Sequence, residues 1–442
     1  MPEPTIPADP AAPLVHRFTS GVGDHLLVIP FSRIYDIATG AAPSSDADWD
    51  AATLSVPSMG EVGLDHISEP QPQSISLNVS SSCNLTCGYC YAARGGFGGV
   101  QTTLMEWPTA RAAIDRLLSG ADSESPITIG FLGGEPFVNR KLIHRAVDYA
   151  VEQGQRLKLD VRFSVTTNGT LLEANDLEMM RRNLFAVTVS LDGAADVQDR
   201  QRRLHRDGSG SWQTVVDRIT PLLERPGHAK IAARATVTRH NLDIAGHLTA
   251  LTAIGFPEVG FAPLRVGPEA SGPLTDADWP LYLAALVAAS EDEIDRLRRG
   301  IPIRLTNLAV ALKQLHRGAS SPYPCGAGGG YFSVSANGRW YACHRAIGNA
   351  DFDLGSNEGL DSVRRREFLE KRHVHSQTDC GSCWARYLCS GGCHQEASAR
   401  TTASCDFIRG WLSFCLETYC ELGSALPVAG IVSHRLFEQV AP

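Results

Sequence analysis

The chain has 442 residues, of which 43% are hydrophobic and 20% are charged, and its formal net charge is −8. This length suits one large domain with appendages, and the acidic balance disfavours a nucleic-acid groove, which needs clustered Lys and Arg. The longest apolar stretches are too short to span a bilayer, and the N-terminal MPEPTIPADPAAP lacks the basic and apolar regions of a secretory signal. We therefore expect a cytoplasmic protein with no nucleic-acid or membrane partner.

The first 70 residues contain one apolar segment, HLLVIPFSRIYDIATG from His25, which is typical of one or two strands ending in a turn. Pro, Ala, Ser and Asp dominate the stretch that follows it. We predict that residues 1–70 form a small cap or substrate-docking element.

From Ser74 to about Leu264, short β-rich runs alternate with helical patterns, as in consecutive βα units. The runs are SISLNVS, ITIGFLGG, VRFSVTTNG, FAVTVSLDG, AARATVT and VGFAPL, and the patterns between them are ARAAIDRLL, KLIHRAVDYAVEQ, ANDLEMMRRN, WQTVVDRITPLLE and IAGHLTALTAI. About six strand–helix pairs are too few to close an eightfold barrel. The sequence therefore predicts an α/β fold with a partial (β/α)6 barrel over residues 71–310, whose working residues follow its strands.

The 12 cysteines are distributed unevenly along the chain. Three lie between Cys83 and Cys90, and nine lie between Cys325 and Cys420. Short, regular spacings without an export signal indicate metal ligands rather than disulfides. Scattered structural cysteines would not group in this way.

The first group is Cys83-Asn-Leu-Thr-Cys87-Gly-Tyr-Cys90, directly after the first predicted barrel strand. A cubane iron–sulfur cluster with three protein thiolates keeps one iron open for a small chelating ligand. The pattern resembles the CxxxCxxC signature of radical S-adenosylmethionine (SAM) enzymes, with an aromatic residue, Tyr89, before the last Cys. The resemblance implies a [4Fe–4S] cluster whose open iron binds SAM and which cleaves it to a 5′-deoxyadenosyl radical. A zinc knuckle that lacks its fourth ligand is the alternative.

Four further segments match the same family in the same order, although each alone would indicate little more than a turn. The resemblance implies that Gly133, Gly134 and Glu135 contact the methionyl amine of SAM, and that Tyr89 also contacts the cofactor. It places the ribose and the sulfonium near polar groups of the next two loops, and the methionyl carboxylate on one of two adjacent arginines. These candidates are Asn168, Ser190, Asp192, Arg202 and Arg203.

The second cysteine group consists of Cys325-x12-Gly-x4-Cys343, then Cys380-x2-Cys383-x5-Cys389-x3-Cys393, and then Cys405. It resembles the SPASM extension, whose members hold two auxiliary four-iron clusters, and we assign it to a domain of residues 311–442. The resemblance implies that Cys325, Cys343 and Cys393 hold the first auxiliary cluster, and that Cys380, Cys383, Cys389 and Cys405 hold the second. Some members have a further Cys where this chain has Tyr331, so the first cluster has an open iron or recruits Cys415 or Cys420. The spacing alone also permits a zinc ribbon.

The resemblance implies an enzyme with three [4Fe–4S] clusters and SAM that modifies a polypeptide, with flavodoxin or ferredoxin as electron donor. The stretch from Cys383 to Cys393 most resembles the maturases of quinohemoprotein amine dehydrogenase, which form Cys-to-Asp/Glu thioether cross-links in a small subunit. Cyclophane-forming enzymes share much of this pattern. The alternatives are an anaerobic sulfatase maturase, which makes formylglycine, and a zinc-ribbon interaction protein. The histidines near these cysteines, His344, His373 and His375, are interpreted as core or solvated residues.

Overall fold

The computed structural model describes residues 15–36, 72–96, 103–121, 123–318 and 321–423. The chain forms two compact units. The sheet unit comprises residues 69–275 and 326–369, and the cysteine-rich unit comprises residues 1–68, 276–325 and 370–442. The functional domain boundaries expected at residues 70 and 310 stay predictions.

The strands and helices take their numbers in chain order. The strands are β1 (Val15–Ser20), β2 (Gly23–Val28), β3 (Arg33–Asp36), β4 (Ser74–Ser80), β5 (Ile127–Gly133), β6 (Val161–Thr167), β7 (Phe185–Ser190), β8 (Lys230–Val237), β9 (Glu258–Pro263), β10 (Tyr331–Val334), β11 (Arg339–Tyr341), β12 (Asp353–Ser356) and β13 (Gly359–Leu360). The α-helices are α1 (Trp107–Ser119), α2 (Arg140–Leu157), α3 (Ala174–Arg182), α4 (Ala195–Gln201), α5 (Trp212–Glu224), α6 (Ile244–Ile254), α7 (Asp278–Arg298), α8 (Thr306–Arg317), α9 (Ser362–Arg372), α10 (Arg386–Cys389) and α11 (Thr402–Leu422).

The sheet unit contains one ten-stranded sheet with the order β13-β12-β11-β10-β4-β5-β6-β7-β8-β9. Strands β4 to β9 are parallel neighbours, so the six predicted strands and the helical patterns between them are confirmed. The fold is therefore mixed α/β with a large, mainly parallel sheet. Closure of this sheet into a partial barrel stays a prediction.

Apolar and polar side chains alternate along β4, so the sheet has one apolar face and one polar face. Ile75, Leu77 and Val79 are fully buried, while Ser76 and Asn78 lie between them on the opposite side of the strand. Aromatic rings continue the apolar face across the neighbouring strands. For example, the rings of Phe131 and Phe163 stack at 6.4 Å, and those of Phe163 and Phe185 at 5.2 Å. Each such buried side chain contributes about 1.5–3 kcal/mol, so this face holds the sheet to its helices.

A seventh parallel strand, β10, joins the sheet beside β4 and was not predicted. Tyr331 pairs with Ser74 and Val334 pairs with Leu77. Strands β11 to β13 then extend the sheet as antiparallel neighbours. The pairing places residues near Cys343 alongside the strand that leads into the first cysteine group.

The cysteine-rich unit contains a small antiparallel sheet, β1-β2-β3, and the helices α7, α8 and α11. Strands β2 and β3 confirm the strands predicted from His25 onward. Helices α7 and α11 pack through Trp279, Tyr282 and Phe407, with ring centroids 4.9 Å apart for Tyr282 and Phe407. No helix within the described ranges is long and apolar enough to cross a membrane.

Candidate functional site

The first cysteine group forms the loop after β4, at the carboxyl end of the parallel sheet. Cys83, Cys87 and Cys90 are all half-buried. Burial, together with the neighbouring thiols Cys87 and Cys90, raises the pKa of Cys83 to about 12. The three sulfurs therefore lie near one another. Thiols in this environment stay protonated unless a metal replaces the proton, so the loop could supply ligands to a metal cluster.

Contacts with the segment after α4 anchor this loop. Leu85 and Leu204 form an antiparallel bridge, and the amide of Thr86 donates to the carbonyl of Arg203 at 2.9 Å. The amide of Leu85 donates to Cys83 Sγ at 3.4 Å. These contacts hold the cysteine loop against the segment that carries both candidate arginines.

The Gly133-Gly134 turn lies directly beside the start of the cysteine loop. The amide of Gly134 donates to the carbonyl of Ser80 at 2.8 Å, and the amide of Glu135 donates to that of Ser82 at 2.9 Å. Gly133 has φ +153°, and a Cβ at this residue would lie 2.3 Å from the Ser80 oxygen. Only glycine permits this approach, which positions the following carboxylate.

Glu135 is fully buried at the end of this turn. Its Oε1 accepts from the Thr167 hydroxyl at 2.7 Å and from the Phe137 amide at 3.1 Å, and its Oε2 accepts from the Asn168 amide at 2.7 Å. Burial raises the pKa of Glu135 to about 7, although these donors oppose the rise. A buried carboxylate that titrates near neutrality is suited to binding a cation.

Asn168 connects the end of β6 to the first cysteine. Its Nδ2 lies 3.7 Å from Cys83 Sγ and donates to Asn84 Oδ1 at 2.9 Å. Its Oδ1 accepts from the amide and hydroxyl of Thr170 at 2.9 and 2.6 Å. The side chain is therefore fixed next to the thiol, as a hydrogen-bonding group around a metal ligand is expected to be.

Asp192 and Arg202 form a buried ion pair behind Cys87. Arg202 Nε donates to Asp192 Oδ2 at 3.0 Å and Nη2 donates to Oδ1 at 3.1 Å. Tyr89 donates its hydroxyl to the same carboxylate, and the Arg202 guanidinium lies 5.2 Å from the Tyr89 ring centroid. Burial alone would lower the pKa of Arg202, but Asp192 raises it well above its usual value. The guanidinium is therefore a fixed positive charge close to Cys87.

The structure separates the two candidate arginines. Arg202 is buried, whereas the Arg203 side chain is exposed and only its carbonyl contacts the cysteine loop. Ser190 ends β7 beside Arg234 of β8, two residues before Asp192. Apart from the exposed Arg203 side chain, the residues predicted to hold the first cluster and SAM lie at the carboxyl ends of the parallel strands.

Tyr331 and His344 form a pair in the sheet unit that the sequence did not indicate. The Tyr331 hydroxyl lies 2.9 Å from Ser76 Oγ and 2.8 Å from His344 Nδ1. Burial lowers the pKa of His344 to about 4. The position that holds a Cys in some SPASM proteins is therefore occupied here by a phenol hydrogen-bonded to the residue after Cys343. No local pattern could reveal it, because it depends on the pairing of β10 with β4.

In the cysteine-rich unit, four of the predicted ligands line one cavity of about 430 Å³. These ligands are Cys380, Cys383, Cys389 and Cys405. Burial, together with the other three thiols, raises the pKa of Cys389 to about 11. Three arginines that the sequence reasoning did not single out also line the cavity, namely Arg386, Arg400 and Arg409.

The predicted ligands of the first auxiliary cluster lie in different units. Cys325 and Cys393 belong to the cysteine-rich unit, where the charge of Arg372 acts on both, and Cys343 belongs to the sheet unit. Cys415 and Cys420 are buried on α11, and burial raises the pKa of Cys420 to about 12. The ligand set of this cluster stays a prediction.

The donor sets suit a polynuclear thiolate-bound group. Within the described ranges, no three or more His, Cys, Asp or Glu side chains come close enough together to hold a single metal ion. In the cysteine-rich unit, four thiols line one cavity. Soft thiolate donors are those that iron–sulfur clusters require.

Residues 77–230 match the model of the Radical SAM superfamily, so this part of the sheet unit is a radical SAM domain. Two relatives match most of the chain. The radical SAM cyclopropyl synthase TigE of Paramaledivibacter caminithermalis is 24% identical over 73% of this chain and 68% of its own length. The serine-type anaerobic sulfatase-maturating enzyme of Klebsiella aerogenes is 24% identical over 75% of this chain and 82% of its own.

Two solved structures share the fold. The structure of anSMEcpe with bound AdoMet and the Cp18Cys peptide has a TM-score of 0.66 at 18% identity, and covers 80% of this chain and 100% of that chain. The structure of Streptococcus suis SuiB bound to precursor peptide SuiA has a TM-score of 0.54 at 15% identity, and covers 81% and 78%. At these identities the likeness concerns the fold.

Proposed function

We propose that this chain is a radical SAM enzyme that modifies a polypeptide. The observation that carries the proposal is the convergence of Cys83, Cys87 and Cys90 with Glu135 and Arg202 inside the radical SAM domain. Three thiols leave one iron of a cubane open. A buried carboxylate and a buried guanidinium supply the two charges that complement an amino-acid ammonium and carboxylate.

In this proposal the three thiols hold a [4Fe–4S] cluster that, with SAM bound, supplies a 5′-deoxyadenosyl radical for hydrogen abstraction. Glu135 holds the methionyl ammonium, and the Gly133-Gly134 backbone permits its close approach. Arg202, which Asp192 holds through two hydrogen bonds, would bind the methionyl carboxylate. Asn168 donates to Cys83 and fixes the first ligand. The role of the protein is to position the reacting atoms and to exclude other reactions.

Two auxiliary [4Fe–4S] clusters complete the proposal. Cys380, Cys383, Cys389 and Cys405 are the proposed ligands of the second, because they line one cavity and interact electrostatically. Cys325, Cys343 and Cys393 are the proposed ligands of the first. An auxiliary cluster suits a reaction in which an electron must leave the substrate after hydrogen abstraction. A flavodoxin or ferredoxin as electron donor and a cytoplasmic location remain parts of the proposal.

A polypeptide substrate is supported by the relatives and by the solved structures. One relative is a sulfatase-maturating enzyme, and both solved structures contain a bound peptide. Within this class we propose thioether formation between a Cys sulfur and a side-chain carbon of Asp or Glu, as in the small subunit of quinohemoprotein amine dehydrogenase. Two features of the sequence support this. The Cys383-to-Cys393 stretch resembles those maturases, and Tyr331 stands where some SPASM proteins have a further Cys, which would leave one iron of the first auxiliary cluster open.

The test of the proposed function is reductive cleavage of SAM by the anaerobically reconstituted protein. Wild type should contain about 12 irons per chain and release 5′-deoxyadenosine. Cys87→Ala should abolish this release, because the cluster loses a ligand that the loop cannot replace. Thr86→Ala, in the same loop, is the matched control and should retain it. Equal 5′-deoxyadenosine yields from wild type and Cys87→Ala would refute the catalytic assignment, and a wild-type content near four irons would refute the auxiliary clusters.

A further inference from the structure

Three cationic side chains surround the four cysteines of the cavity in the cysteine-rich unit. Arg386, Arg400 and Arg409 line it together with the four thiols, and Asp379 is the carboxylate among its lining residues. The arginines come from separate segments of the chain, at α10, before α11 and within α11. The cavity thus combines a soft donor set with an excess of positive charge.

Arg409 lines the cavity together with the Cys383 thiol. Its guanidinium also pairs with the carboxylate of Asp406 one turn earlier on α11. About a third of the Arg409 side chain and about two thirds of the Asp406 side chain are exposed, at 35% and 64%. The carboxylate therefore offsets part of the charge that Arg409 brings to Cys383.

Arg400 is fixed beside Cys380 by neutral partners. Its Nη1 donates to the Gly391 carbonyl at 2.6 Å and to Gln377 Oε1 at 3.0 Å. Arg400 and the Cys380 thiol line the same cavity. Because these two hydrogen-bond partners are uncharged, they do not offset the charge that Arg400 directs at the cavity.

The positive charges of Arg409 and Arg400 act in the same direction on an iron–sulfur cluster. Four thiolates give the cluster a net negative charge, and reduction adds one more electron. Hydrogen bonds to the cluster sulfurs and nearby positive charges stabilise the reduced form, and both raise the reduction potential. Protein groups around the ligands are a general means of setting this potential.

We propose that Arg409 and Arg400 raise the reduction potential of the second auxiliary cluster through the positive charges that they place beside its thiol ligands. They are positioning residues for this cluster, and a higher potential makes it a better acceptor of the electron that leaves the substrate. The inference rests on the proposed function, because it assumes a four-iron cluster on these thiols.

The test is a potentiometric titration with dithionite, followed by EPR, on the full-length protein in which Cys83, Cys87 and Cys90 are changed to Ala. The remaining signals then come from the auxiliary clusters. Arg409→Met and Arg400→Met keep side-chain length but remove the charge. At a fixed solution potential, each should raise the ratio of oxidised to reduced second cluster about tenfold, which is about 59 mV for a one-electron couple. Arg298→Met, on α7 of the same unit, is the matched control and should leave this ratio unchanged.

Asp406→Asn should change the reduction potential in the opposite direction. It also keeps the inference testable if the Arg409 variant loses its cluster. Removing this carboxylate strengthens the positive field of Arg409, so the potential should rise. Arg409→Lys keeps the positive charge at this residue, so its potential should stay close to that of wild type. Equal potentials for Arg400→Met, Arg409→Met, Asp406→Asn and the control, with iron retained, would overturn the inference. Wild type that lacks the second cluster altogether would instead refute the auxiliary-cluster part of the proposed function.

Discussion

Arg202 and Asp192 are joined by two parallel hydrogen bonds of 3.0 and 3.1 Å while Asp192 is completely buried. The fork geometry of a guanidinium on a carboxylate fixes the plane of both groups. The Thr236 amide also donates to Asp192 Oδ1 at 2.9 Å, so the carboxylate is held from the sheet side as well. The pair therefore gives Arg202 one orientation before any ligand arrives.

The first prediction concerns the stability of this pair. Asp192→Asn leaves a buried guanidinium without its carboxylate, and breaking a buried pair in this way costs about 3–5 kcal/mol. Denaturant unfolding of the reduced, metal-free protein should therefore show a lower free energy of unfolding. Asp207→Asn is the control, because the Arg206–Asp207 pair is exposed and screened by water. A similar small change for both variants would contradict the structural role of the pair.

The local parts of the fold were predictable, because alternation and turn residues encode them. Strands β4 to β9 and the cysteine loop after β4 follow from patterns of fewer than ten residues. The choice between Arg202 and Arg203 did not follow, because these adjacent residues differ in burial only through the fold, with Arg202 buried and Arg203 exposed. A sequence does not show which of the two faces the core.

Long-range pairing explains the remaining differences between sequence and structure. Strand β10 has only four residues and joins β4 across more than 250 positions, so no periodicity indicates the contact between Tyr331 and Ser76. The arginines around the cavity likewise come from separate segments. Arg400 and Arg409 are near Cys405 in sequence, but only the fold shows that they line the same cavity as Cys380.

The second prediction concerns the pH dependence of SAM binding. Burial raises the pKa of Glu135 to about 7, so the carboxyl is ionised above that pH and neutral below it. A neutral carboxyl cannot balance the methionyl ammonium, so the Kd for SAM should rise as the pH falls below about 7. The limiting slope is about tenfold per pH unit. Anaerobic calorimetry on the reconstituted protein, repeated at several pH values, measures this Kd.

Two variants separate this effect from general pH sensitivity. Glu135→Gln should bind SAM more weakly at high pH and show a flat profile, while its cluster spectrum stays intact. Glu152→Gln, an exposed residue of α2, should keep the wild-type profile. A wild-type profile in Glu135→Gln would exclude the carboxylate as the ammonium partner.

The third prediction concerns the backbone turn before Glu135. Gly133→Ala places a Cβ 2.3 Å from the Ser80 oxygen and 3.1 Å from Asn78 Oδ1, at a φ of +153° that other residues rarely adopt. We expect a loss of about 1–3 kcal/mol in the free energy of unfolding and weaker SAM binding. Gly330→Ala is the control, since nothing lies within 4 Å of its Cβ. Equal effects of the two substitutions would show that the turn is not constrained.

The last prediction is the product. In a thioether cross-link, an S–H and a C–H bond break and a C–S bond forms, so the polypeptide loses two hydrogens and one free thiol per link. One hydrogen atom would enter 5′-deoxyadenosine, the other would leave as a proton, and the remaining electron would pass to an auxiliary cluster, while one SAM is converted to methionine and 5′-deoxyadenosine. Unlike a disulfide, the link resists reducing agents. Mass spectrometry of a co-expressed Cys-containing substrate, with thiol alkylation before and after reduction, should show this combination.

Auxiliary-cluster variants should separate cross-linking from SAM cleavage. Cys389→Ala and Cys343→Ala should lose cross-linking more completely than 5′-deoxyadenosine formation, because in the proposed mechanism only the cluster on Cys83, Cys87 and Cys90 cleaves SAM. Thr378→Ala, which changes an exposed residue lining the same cavity as Cys389, should retain both activities. Loss of two hydrogens with the thiol still alkylatable would indicate a carbon–carbon product of the cyclophane type. A formylglycine mass would assign the chain to sulfatase maturation, and an unchanged Cys-containing partner would refute thioether formation on that partner while leaving SAM cleavage intact.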